Sequence, residues 1–126
     1  MKIVIKGSFP GLNDFIDANR RRHGNWSGGN EMKKRDQNTI AYQLPKWHTD
    51  KPIYIKYRFY CLNRKRDKDN ISGYFHKIFQ DALVQKRIIP NDGWSNITGF
   101  SDEFFIDNKN PRVEVDIEEV TALHDC

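Results

Sequence analysis

Two carboxylates, Asp67 and Asp69, sit inside a run of cations, Arg64-Lys65-Arg66-Asp67-Lys68-Asp69-Asn70, directly ahead of a strongly patterned apolar stretch. Acids interleaved with bases at this density suit one chemistry well. Hard oxygen ligands hold a divalent ion, and the neighbouring cations meet phosphate oxygens bound to the same ion. Helix capping is the plainer role, and Asp69 or Asn70 would serve it, but capping does not account for two acids within the basic run. A hydrolytic site needs further oxygen ligands. The preferred third is Asp92, in the sequence Asn91-Asp92-Gly93, which is also a good turn in its own right.

The elements that must position these groups follow from periodicity. Ile71, Tyr74, Phe75, Ile78, Phe79, Ala82 and Leu83 recur at helical spacing and predict a helix from Asp69 to about Gln85. Such a helix is roughly 25 Å long, and Asp92 follows Gln85 by only seven residues. A three-acid site therefore requires an extended return along the helix, an earlier helix end, or a contribution from a dimer partner. Asp81 lies about 18 Å along the helix from Asp69, too far to share its ion. Its expected roles are structural anchoring, an i,i+4 pair with Lys77, or orientation of the Asp92 loop. Lys77 is a candidate contact to the scissile phosphate.

Elsewhere, residues 2 to 7 read as a strand, residues 14 to 23 as a short helix, and the three-glycine segment from His23 to Asn30 as a loop in which Trp26 is available for base stacking. Glu31 to Leu44 has an imperfect helical stripe that Pro45 ends. Pro52 to Cys61 is the clearest strand. It sets Ile53, Ile55, Tyr57 and Phe59 on one face and Tyr54, Lys56, Arg58 and Tyr60 on the other, the tyrosine rings being placed to support a helix. Two further strands are expected over 96 to 106 and 112 to 118. The pattern is one α/β domain over 1–126, a small mixed sheet with covering helices.

Composition narrows the function classes. With 126 residues, 37% apolar and 13% aromatic, the chain has enough apolar content for one modest core, and burying a face against a second copy would add stability. The net charge is +4, and the basic residues cluster: Arg20, Arg21 and Arg22; Lys33, Lys34 and Arg35; Arg64, Lys65, Arg66 and Lys68. Three clusters on a small domain make either a phosphate-facing stripe or separate solvated patches. Two cysteines, Cys61 and Cys126, give neither a disulfide framework nor a thiolate zinc site, and the four histidines are scattered. No segment approaches transmembrane length and the start is too short for a signal peptide, so a cytoplasmic location without membrane contact is expected.

Taken in order, Gly7-Ser8-Phe9-Pro10-Gly11-Leu12-Asn13, Glu31-Met32-Lys33-Lys34, Asp67-Lys68-Asp69-Asn70, Asp81-Ala82-Leu83 and the Asn91-Asp92 turn resemble the RusA-like family of Holliday junction resolvases, especially its phage and prophage members. The resemblance implies a homodimeric, Mg²⁺-dependent endodeoxyribonuclease, with Mn²⁺ as an alternative ion, that cuts branched DNA such as four-way junctions. It carries metal binding to Asp67, Asp69 and Asp92, and the basic catalytic role to Lys77 when Asp81-Ala82-Leu83 sets the register. Asn70, Asp81 and Asn91 become supporting residues. Arg20, Arg21, Arg22, Lys33, Lys34, Arg64, Arg66 and Lys68 become backbone contacts to DNA. The sequence departs from the family pattern twice: counting from Asp67 puts Gly73 at the lysine position, and Asn91 stands where the later turn usually carries an acid. The competing expectation is a noncatalytic DNA-binding protein that uses the same basic surface.

Overall fold

The computed structural model describes residues 1–23 and 26–121. In chain order the elements are β1 (Lys2–Lys6), α1 (Leu12–Asn19), β2 (Arg22–His23), β3 (Trp26–Ser27), α2 (Gly28–Gln43), β4 (Ile53–Cys61), α3 (Lys68–Gln85), β5 (Ile97–Ile106) and β6 (Arg112–Glu119). The main sheet has the order β1-β6-β4-β5. β6 runs antiparallel to both β1 and β4, whereas β4 and β5 are parallel and joined through α3. β2 and β3 form a separate two-stranded ribbon. This is the expected small mixed α/β fold.

Alternation along the strands decides which face is covered. Ile3 and Ile5, then Ile53, Ile55, Tyr57 and Phe59, then Val113, Val115 and Ile117 are all buried, and they meet the α3 stripe of Tyr74, Phe75, Ile78, Phe79, Ala82 and Leu83. Each of the valine, leucine, isoleucine and phenylalanine side chains among them contributes about 1.5–3 kcal/mol of transfer free energy. On the opposite face β6 supplies acids to match the strand cations: Lys2 to Glu114 at 3.5 Å, Arg58 to Asp116 at 2.8 Å and Lys56 to Glu118 at 3.0 Å. Tyr60 on that face does not support a helix. The Arg112 guanidinium lies 3.8 Å from its ring centre and Phe105 stacks on it at 5.0 Å.

α3 spans the stretch its periodicity predicts, but the first third of the chain differs from expectation. α1 ends at Asn19 instead of residue 23, and the glycine-rich segment gives way to α2 at Gly28. The reason is a close approach between helices. A Cβ on Gly29 would collide with the Asn19 carboxamide, and the Ser27 hydroxyl donates to that same carboxamide oxygen at 2.9 Å while accepting from the Asn30 N–H. Glycine here is a packing requirement at a helix start, where intrinsic propensity alone argues for a loop. The Trp26 side chain, expected to be available for stacking, lies outside the described residues, as do Gly24 and Asn25.

Candidate metal and phosphate groove

β4 and β5 are parallel, so their carboxyl ends lie at one end of the sheet, and α3 begins there as the chain leaves β4. Open α/β sheets bind ligands in this position, outside the carboxyl ends of the strands. A groove of about 910 Å³ occupies it. Its polar wall is the loop and first turn of α3, with Asn63, Arg64, Arg66, Asp67, Lys68 and Asp69. Its apolar wall is Cys61, Ile71 and the end of β5, Phe104, Phe105 and Ile106.

Asp67 is the N-cap residue of α3, with extended backbone angles, yet its side chain makes no capping hydrogen bond. Asp69 stands in the first turn. Both are exposed, and neither carboxylate has a hydrogen bond or ion pair among the described residues. Capping therefore does not consume them, and they stand at the positive end of the helix dipole. Asn70, a candidate support, points its chemistry elsewhere: its Oδ1 accepts the backbone N–H of Asn13 at 2.7 Å, the second residue of α1. Arg66 ties the loop to the turn after β1 by donating to the Phe9 carbonyl at 2.9 Å, and the Lys68 ammonium lies 5.7 Å from the Phe104 ring centre. Arg64 is exposed and has no partner among the described residues.

Asp92 does not join this groove. α3 is 18 residues long, about 27 Å, and its far end leads to a loop at the start of β5. Asp92 lines a second groove there, of about 650 Å³, together with Gln80, Trp94 and Phe100. An extended return and an early helix end are both excluded within one chain. Asn91 serves the turn, its Oδ1 accepting the Asp92 N–H at 2.8 Å. Among the described residues no group of three or more His, Cys, Asp or Glu side chains converges as a metal site.

The other expected residues separate in the same way. Lys77 is exposed, about 12 Å along the helix from Asp69, and is not part of the groove wall; Gly73, its rival in register, lies against Leu12 of α1. Asp81 anchors structure, as one reading of the sequence had it, but its partner is Lys33 of α2 at 2.8 Å and not Lys77. Lys33 is thereby drawn away from a role as an open phosphate contact. Arg20 pairs with Asp17 at 3.5 Å, Arg21 is exposed at the end of α1, Lys34 is exposed on α2, and the Arg22 side chain lies outside the described residues.

Sequence reasoning missed the apolar wall and one further pair. His76 Nε2 meets Asp102 Oδ1 at 2.7 Å, with the two side chains 16% and 21% exposed and the imidazole packed on Tyr57 and Phe100. Periodicity carried a signal for both: His76 is seven residues after Asp69 on the same helical line, and Asp102 falls on the inward register of β5 opposite Tyr57. Burial raises the pKa of the Tyr57 hydroxyl and, more weakly, that of the Cys61 thiol, for which nearby Arg66 acts in the opposite sense.

No protein-family model matches the sequence, and no curated protein matches it either. Among the described residues no helix is long and apolar enough to cross a membrane.

Proposed function

We propose that this protein is a Mg²⁺-dependent endodeoxyribonuclease that cuts four-way or related branched DNA, similar to the RusA-like resolvases its motifs resemble. One observation carries the reading: Asp67 and Asp69, two carboxylates with no partner among the described residues, share a groove at a helix N-terminus with Arg64, Arg66 and Lys68. The donor set fits the metal. Mg²⁺ is commonly held by one or two carboxylates, completing its shell with water and phosphate oxygens. When bound, the ion supplies a more acidic water and stabilises charge on the leaving oxygen. The chain's own part is to hold phosphate against Arg64, Arg66 and Lys68 and to keep Arg66 and its loop fixed through Phe9. Asp92 enters this set only from a second copy, which makes the homodimer part of the proposal.

The placement of Asp92 also favours a second reading, a noncatalytic DNA-binding protein with a basic groove and two acids that serve only the helix dipole. Cleavage of a four-way junction beside linear duplex separates the two. The nuclease reading expects Mg²⁺-dependent cutting of the junction that Asp69→Asn abolishes. Absence of cutting by the natural sequence across Mg²⁺ and Mn²⁺ concentrations overturns it, and binding without cutting supports the second reading.

A further inference from the structure

The grooves at the two ends of α3 have opposite chemistry. The first is lined by Arg64, Arg66 and Lys68 beside its two acids, whereas among the described residues the second has a single charged lining residue, Asp92. That carboxylate has no hydrogen bond or ion pair among the described residues. Around it stand Gln80 and two aromatic rings, Trp94 and Phe100, 97% and 48% exposed. The Gln80 amide nitrogen donates to the buried Tyr57 hydroxyl at 3.2 Å, which leaves the amide oxygen as a further acceptor. Trp94 does not owe its exposure to a loose segment. The Asn96 and Ile97 N–H groups close a turn on the Gly93 carbonyl at 3.0 and 3.1 Å, and the Asn96 carbonyl accepts the Ile53 N–H at 2.9 Å, so the turn is fastened to β4. A tryptophan held in water by a fixed backbone forgoes the burial that its ring normally gains, and such residues are typical anchors of interfaces.

We infer that this second groove binds an arginine side chain presented by a segment of a partner protein. Charge decides the sign of the occupant. A nucleobase would also stack on Trp94, but its phosphates would lie near Asp92 with no cation in the lining to meet them. An organic cation instead meets a carboxylate and two aromatic faces, the combination by which such cations are held. Arginine fits better than lysine, because its planar guanidinium stacks on an aromatic face while its edge offers two parallel N–H donors to a carboxylate. Size decides the source. A groove of about 650 Å³ is more than one guanidinium fills, and a segment of chain brings flanking residues that cover Trp94. The net charge of +4 repels a basic segment at long range, so its retention has to come from the groove itself.

This inference concerns Asp92 within its own chain and does not rest on nuclease activity, so the test contains EDTA and no DNA. A pool of short labelled peptides, each with a central arginine and varied neutral flanks, is passed over the full chain immobilised at a density that keeps copies apart. The same pool with citrulline at the centre keeps the shape and loses the charge. Retention of the arginine pool is expected to exceed that of the citrulline pool by about tenfold, and to fall by a similar factor in Asp92→Asn and in Trp94→Ala. Both residues are exposed, so both variants are expected to keep the natural circular dichroism spectrum. Glu103→Gln, which removes an exposed acid of β5 outside the groove, is expected to leave retention unchanged. Equal retention of the two pools overturns the inference, as does an arginine preference that survives Asp92→Asn and Trp94→Ala or is lost equally in Glu103→Gln. Free arginine that competes as well as the peptides would make this a small-molecule site, and single-stranded oligonucleotide binding lost in Trp94→Ala without any arginine preference would make it a nucleobase site. Either result overturns the partner segment.

Discussion

Asn70 on α3 accepts the backbone N–H of Asn13 on α1 at 2.7 Å, so the residue next to Asp69 caps a helix other than its own. The contact requires Gly11, because a Cβ there would stand 2.6 Å from the Asn70 amide nitrogen. The position of Asp69 is thus fixed by α1 as well as by α3. Asn70→Ala is expected to cost about 1 kcal/mol in urea unfolding, the usual worth of a lost cap, and Asn70→Asp much less. Gly11→Ala forces the Asn70 side chain aside and is expected to cost about 1–3 kcal/mol. Stability unchanged in Asn70→Ala would show that α1 does not rely on this cap.

Between α2 and α3, the Tyr74 hydroxyl donates to Asp36 at 2.7 Å, and Asp36 is only 7% exposed. Burial and the neighbouring carboxylate both hold the Tyr74 pKa above its ordinary value, so the phenol keeps its proton and remains a donor. Among the described residues, Tyr74→Phe leaves that carboxylate with only the longer contact to Arg35 at 3.4 Å, and it is expected to destabilise by about 1–3 kcal/mol. A double-mutant cycle with Asp36→Ala is the measurement. A coupling energy near zero would remove this bond from the account of how the helices are joined.

His48 gives a pH dependence whose direction can be worked out. Its Nδ1 faces the Arg87 carbonyl at 2.7 Å and its Nε2 faces Asp50 at 2.9 Å, and two acceptors are both satisfied only when both ring nitrogens carry protons. These bonds raise the pKa above 6.5, the backbone bond contributing most. The folded chain holds the proton more tightly than the unfolded one, so the stabilisation is complete below the unfolded value and is lost as pH rises through the folded value. Arg87, held at a positive φ of 57°, should then loosen first. A ¹H–¹⁵N titration is expected to place His48 above the ordinary histidine range, and His48→Gln should remove the effect. A midpoint at or below 6.5 contradicts the geometry.

The α3 stripe and the alternation in β4 and β6 were legible because apolar spacing reports burial directly, and these elements bury one face along their length. The α2 start was not, since Gly28 and Gly29 are there for contacts with Ala18 and Asn19, residues whose nearness no local pattern records. For the site, the basic run with Asp67 and Asp69 was legible as local chemistry. The anchoring role of Asp81 was legible but its partner was not, because an i,i+4 lysine is visible in sequence and Lys33, 48 residues earlier and 2.8 Å away, is not. Asp92 could be identified as a candidate, but the 18 residues of α3 separate it from the acids it was expected to join.

That separation yields the sharpest test of the groove. Mn²⁺, a paramagnetic stand-in for Mg²⁺, is expected to broaden the amide resonances of residues 63–70, and Asp67→Asn or Asp69→Asn should weaken the effect at least tenfold, about 1.4 kcal/mol. Lys77→Ala should leave metal binding unchanged, because Lys77 is outside the groove wall. The informative residue is Asp92. If a second copy brings it to the site, Asp92→Asn weakens Mn²⁺ binding in the dimer, and the same substitution has no effect at dilutions where single chains prevail. If Asp92 serves only the turn it shares with Asn91, its substitution changes Mn²⁺ affinity in neither form, and the groove holds its ion through Asp67 and Asp69 alone. Broadening centred on residues 91–93 in the monomer would place the ion at the wrong end of α3 and overturn the assignment of the groove.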